Sequence, residues 1–120
     1  MYIQVNFGRN VGTVPMSQPL WDAFTSDVVR VIVHYAADMS GGEPVSYIAD
    51  VELHNGYGTW GDTPEESRHL SLFWEDNTPA DKRDYAADLK AGERLRKDLQ
   101  EVADSYGQDN VALIVGSELI

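Results

Sequence analysis

The chain has 120 residues, 42% of them hydrophobic and 24% charged, which suits one globular domain over residues 1–120 and excludes a wholly disordered polypeptide. Twenty acidic residues against nine basic ones leave a net charge of −11, which nucleic-acid phosphates and anionic membranes repel and a basic protein surface attracts. Cysteine is absent, so disulfides, thiolate catalysis and cysteine metal sites are excluded.

The opening MYIQVNFGRN lacks a basic region followed by an apolar run, and no apolar stretch approaches the ~18 residues that span a bilayer. The expectation is a protein of the cytoplasm that does not enter membranes. YIQVNF alternates, with Ile3, Val5 and Phe7 on one side and Tyr2, Gln4 and Asn6 on the other, and reads as a half-buried strand. GRNVGTVP then reads as a loop. Ser17 is a fitting N-cap for a helix with Pro19 in its first turn. Leu20, Phe24, Val28, Val31, Ile32 and Tyr35 form its apolar stripe, and Met39-Ser40-Gly41-Gly42 ends it. His34 falls off that stripe and reads as a surface residue.

From Val45 the period becomes two. Val45, Tyr47, Ala49, Val51 and Leu53 alternate with Ser46, Ile48, Asp50, Glu52 and His54, as a strand with one buried side does. RHLSLFWE, residues 68–75, repeats the pattern. Thr78-Pro79 are placed as N-cap and first residue of a long helix reaching Tyr106. Its stripe is Tyr85, Leu89, Gly92, Leu95, Leu99, Val102 and Tyr106, and Gly107 is a natural C′ residue. Gly92 either breaks this helix or lets it pack closely. NVALIVGSELI closes the chain as a buried strand. The order β-α-β-β-α-β predicts an α+β, ferredoxin-like domain: a four-stranded antiparallel sheet with both helices on one face.

Between the middle strands lies HNGYGTWGD, a literal G-x-G-x-x-G made by Gly56, Gly58 and Gly61. A dinucleotide fingerprint needs a helix after the glycines, and here DTPEES and another strand follow. At most one helical turn fits, with Thr63 and Glu66 as a capping box. The segment therefore reads as a long hairpin connection in which Asn55-Gly56 supply positive φ, or as a tight turn there followed by a short extra strand over 57–61. Trp60 beside Asp62, Glu65 and Glu66 makes it a candidate partner-binding loop, joined by Tyr57 and by Phe73 on the open sheet face.

Two further chemistries were open on that face. If the middle strands pair so that His54 lies opposite His69 and Glu52 opposite Ser71, then Glu52, His54 and His69 are candidate metal ligands, with Asp50 nearby. Tyr2 and Phe73 resemble the stacking residues of RNA-binding sheets, but the basic residues that accompany such sheets are missing. No G-x-S-x-G or catalytic cysteine marks a nucleophilic triad, and nothing calls for a cofactor.

The ends of the chain, MYIQVNFGRNVG and DNVALIVGSELI, with HLSLFWED between them, resemble a group of small uncharacterised proteins encoded by actinobacterial phages. The resemblance implies an accessory protein acting inside a bacterial host, and it brings no activity and no site residues. The resulting expectation is a non-enzymatic acidic interaction protein that binds a basic host protein without touching nucleic acid or membrane, with a homodimer open. The alternatives are a small enzyme or ligand-binding protein using the open sheet face, and an acidic DNA mimic.

Overall fold

The computed structural model describes residues 2–39, 50–60, 63–73, 81, 84–108 and 112–116. Eight elements follow in order: β1 (Tyr2–Gly8), β2 (Asn10–Val11), β3 (Val14–Pro15), α1 (Gln18–Met39), β4 (Asp50–Trp60), β5 (Thr63–Phe73), α2 (Tyr85–Ser105) and β6 (Ala112–Gly116). The fold is α+β, with two helices and an antiparallel sheet. The main sheet runs β4-β5-β1-β6, every neighbouring pair antiparallel, and β2-β3 form a separate two-stranded sheet. No helix of the described residues is long and apolar enough to cross a membrane.

The core follows from the alternation in β1. Ile3, Val5 and Phe7 are buried, as are Leu70 and Leu72 of β5. Register sets Ile3 opposite Leu72 and Val5 opposite Leu70, so the apolar side chains share one face. Trp21, Phe24, Val28, Ile32, Tyr35 and Ala36 of α1 and Ala91, Leu95 and Leu99 of α2 belong to the same buried cluster. Both helices therefore cover that face and leave the other open. Phe7, Trp21, Phe24 and Tyr106 pack as an aromatic group, with Phe24 and Tyr106 stacked at 4.9 Å between centroids.

Several local expectations are corrected. GRNVGTVP is not a plain loop: β2 and β3 pair around Gly12, whose φ of 64° only glycine adopts without strain. Ser17 does cap α1, its Oγ accepting from the Leu20 amide. The buried stripe, however, starts at Trp21, and Leu20 is 52% exposed. Helical spacing fits either neighbour, and the indole is the larger apolar surface to hide. In α2 the N-cap is Asp84, accepting from the Ala87 amide at 3.0 Å, and the first helical residue is Tyr85. Thr78 and Pro79 lie outside the described residues. Tyr85 and Leu89 are each 67% exposed, so the buried stripe of α2 begins only at Ala91. Gly92 neither breaks the helix nor admits a close neighbour, since a Cβ there would meet nothing within 4 Å. Gly107, at φ 71°, ends α2 as expected, and the Gln108 amide returns to the Ala103 carbonyl.

Polar contacts tie the helices together. Arg94 reaches Asp38 at 2.8 Å, and Tyr106 donates its hydroxyl to Asp27 Oδ2 at 2.7 Å. That hydrogen bond, and after it burial and the negative charge of Asp27, raise the Tyr106 phenol above its ordinary range. A raised folded-state value means that the contribution is fully present below the unfolded phenol value of about 10 and is lost as pH rises through the folded value. Denaturant midpoints at about pH 9 and about pH 11 should therefore fall further for the wild type than for Tyr106→Phe. Parallel losses in the two proteins would assign the alkaline instability to other groups.

Candidate functional site: the open sheet face and the hairpin arm

Residues 54–60 of the glycine-rich segment are strand and not loop. β4 and β5 pair without interruption from Asp50↔Phe73 to Trp60↔Thr63, leaving only Gly61 and Asp62 between them. Neither Asn55 nor Gly56 has positive φ, and Thr63 and Glu66 lie in β5, so neither the Asn-Gly turn nor the capping box forms. Trp60 lies at the strand end beside the connection. β1 accompanies β5 only as far as Gly8↔Ser67. The last four residue pairs, from Tyr57↔Glu66 to Trp60↔Thr63, continue beyond β1 as an arm of about 13 Å. It is flanked at its base by Arg9 and Asn10: the Arg9 backbone amide donates to the Glu66 carbonyl and Asn10 Nδ2 to the Pro64 carbonyl. The molecule measures 50 × 25 × 24 Å.

Two of the acidic residues expected on a free loop have structural work at the base of this arm. Glu66 Oε2 pairs with Arg9 Nη1 at 2.9 Å, and Arg9 Nε also donates to the Met16 carbonyl at 2.7 Å. Glu65 Oε1 accepts from the Asn10 amide at 2.9 Å. Its carboxylate lies over Gly8, where any Cβ would collide with it. Asp62 and the side chains of Tyr57 and Trp60 lie outside the described residues. Phe73 is at the opposite end of β5, 44% exposed on the open face.

The register sets His54 opposite His69 and Glu52 opposite Ser71. This places Glu52, His54 and His69 on the open face, but the side chains do not converge. His54 Nε2 lies 3.4 Å from Glu52 Oε2. His69 uses both ring nitrogens elsewhere, Nδ1 to Asn6 Oδ1 at 2.6 Å and Nε2 to Ser67 Oγ at 3.3 Å. No group of three or more His, Asp or Glu side chains among the described residues is arranged to hold a metal ion. The Asp50 side chain lies outside them.

Sequence reasoning missed the contacts of His69. Asn6 Oδ1 also accepts from Gln4 Nε2 at 3.3 Å, so a chain Gln4–Asn6–His69–Ser67 crosses from β1 to β5. Gly56, opposite Ser67, makes room for it: a Cβ there would come within 2.9 Å of both His69 Nε2 and Ser67 Oγ. Alternation alone puts these polar residues on one face, but only register brings Asn6 beside His69 and Gly56 beside Ser67.

On the far side of the molecule, a groove of about 360 Å³ runs between the helices and is lined by Asp27, His34, Asp98 and Glu101 among others. His34 is exposed there, as expected. Comparisons of the chain with protein families, with curated proteins and with solved structures found no match.

Proposed function

We propose that this chain is an acidic interaction protein that engages a basic protein partner through the hairpin arm and the adjoining open sheet face. The arm is the observation that carries the reading. Among the described residues β4 is paired on one side only, so its other edge has backbone donors and acceptors to offer an added strand. The arm segment, YGTWGDTPEE, contains no Lys or Arg, in a chain of net charge −11. A second copy carries the same charge and is the poorer occupant of that edge. The strand order and the placement of the helices suit a ferredoxin-like domain, with β2-β3 added between β1 and α1. The resemblance to small proteins of actinobacterial phages gives the reading its setting, an accessory protein acting on a component of the bacterial cytoplasm.

A photo-crosslinking amino acid placed at Thr59 on the arm, compared with one at Lys90 on α2, tests this in a bacterial lysate. A basic protein should be captured from Thr59 alone, and less of it as salt rises from about 50 to about 500 mM, because screening weakens attraction between exposed charges. With that partner purified, Trp60→Ala should raise its dissociation rate roughly 30-fold, the effect of losing a ~2 kcal/mol aromatic anchor. Capture that is equal at both positions and indifferent to salt would remove the arm from the interface.

A further inference from the structure

We propose that Ser67 is an activated nucleophile, with His69 as its general base and Asn6 as the residue that positions His69, able to take an acyl group from a small neutral or cationic ester. The connectivity carries this. The base must lie within hydrogen-bond reach of the nucleophile and must itself be oriented by a third group. Ser67 Oγ lies 3.3 Å from His69 Nε2, and His69 Nδ1 lies 2.6 Å from Asn6 Oδ1. A carbonyl oxygen facing Nδ1 keeps the ring proton on that nitrogen, which leaves the Nε2 lone pair directed at the Ser67 hydroxyl.

All three residues are half-buried, and the missing side chain of Gly56 leaves the Ser67–His69 pair uncovered. His69 faces His54 across the strands, and His54 is turned to Glu52 at 3.4 Å. Glu65 takes the next outward position along β5, with its carboxylate over Gly8. These carboxylates disfavour an anionic substrate.

In the proposed step Ser67 Oγ bonds to the acyl carbon while its proton passes to His69 Nε2. The bond from the acyl carbon to the leaving oxygen then breaks, and that oxygen takes the proton from Nε2. Water repeats the sequence on the acyl-serine, returning Ser67 and releasing the acid. The face is open, so the predicted reaction is a general-base effect of about 10²–10⁴-fold over an unassisted serine, without tight substrate binding.

The test is covalent labelling of the full chain by an alkyl fluorophosphonate, in which Ser67 Oγ bonds to phosphorus and fluoride leaves. Intact mass and peptide mapping identify the site. The expected result is one adduct on Ser67, formed at least ~100-fold faster than in His69→Gln and absent from Ser67→Ala. Gly56→Ala should also suppress labelling, because its methyl group would occupy the space beside both reacting atoms; this variant serves if His69→Gln melts early. Asn6→Asp should label faster than wild type, since a carboxylate steadies an imidazolium better than an amide does, whereas Asn6→Ala should label more slowly. A wild-type chain that takes up no label, an adduct elsewhere, or equal rates in wild type and His69→Gln overturns the proposal. Asn6→Asp falling as low as Asn6→Ala overturns the positioning role. None of these outcomes depends on whether the arm binds a partner.

Discussion

Phe24→Ala should lower stability by about 3–5 kcal/mol, which is the usual range for removing a buried aromatic side chain. Phe24 is fully buried at the centre of the aromatic group, stacked on Tyr106 with an interplanar angle of 12°, and 5.0 Å from the Phe7 ring. It joins α1, β1 and the end of α2, so the cavity left by alanine cannot close without moving several elements. Small domains have about 5–15 kcal/mol in all, and a fall in melting temperature on the order of 10–20 °C is expected. Phe24→Leu, which retains most of the apolar volume, should recover more than half of it. Because Tyr106 stacks on this ring and bonds to Asp27, the alanine variant should also weaken the alkaline dependence assigned to Tyr106. A loss below about 1 kcal/mol would mean that the aromatic group does not join these elements as described.

Much of the fold was legible because period and capping are local signals. The strand in β1, the N-cap at Ser17 and the C′ glycine at Gly107 could be read from a few neighbouring residues. The boundaries that failed depended on tertiary context. Leu20 and Trp21 are both compatible with a helical stripe, and packing against Phe7 selected the indole. Tyr85 and Leu89 continue the heptad of α2 in sequence, yet the buried contacts start only at Ala91. The glycine-rich segment failed for a different reason. Gly, Asn and Pro in a short stretch imply turns, but pairing with β5 holds Asn55-Gly56 extended and runs on to Trp60↔Thr63.

The candidate site divides in the same way. That Glu52, His54 and His69 share the outward face is a matter of alternation and could be read. Which atoms meet is a matter of rotamer and neighbour. His69 turns to Asn6, a residue 63 positions away in sequence, and no spacing rule reveals that. Glu65 and Glu66 look like free charges in the sequence, because their partners Asn10 and Arg9 come from a segment read as loop.

Arg68→Ala should cost about 3 kcal/mol, a large effect for a charged residue in so acidic a chain. Arg68 sits on the inner face of β5, opposite Phe7 on one side and Asn55 on the other, where the apolar row of Leu70 and Leu72 ends. Its side chain is only 13% exposed. The guanidinium lies 4.6 Å from the centroid of the Trp21 ring, donates to Thr25 Oγ1 at 2.6 Å, and reaches Asp22 at 3.3 Å and Asn55 at 3.3 Å. One planar group thus covers the aromatic core and ties α1 to both strands of the hairpin. Alanine would uncover the indole and take away a partner of the buried Thr25 hydroxyl. Arg68→Lys should recover less than half of the loss, because an ammonium has neither the fork that reaches three acceptors nor the flat face that stacks. The loss should persist at high salt, since a group this buried is poorly screened, whereas a loose surface ion pair would fade. Urea midpoints for wild type, Arg68→Ala and Arg68→Lys at about 50 mM and about 1 M salt separate the two cases. Full rescue by lysine, or an effect that vanishes at high salt, would reduce Arg68 to its pairing with Asp22. The arm extends from the same hairpin, so hydrogen exchange at residues 57–60 should quicken in Arg68→Ala if this clamp also steadies the proposed binding surface.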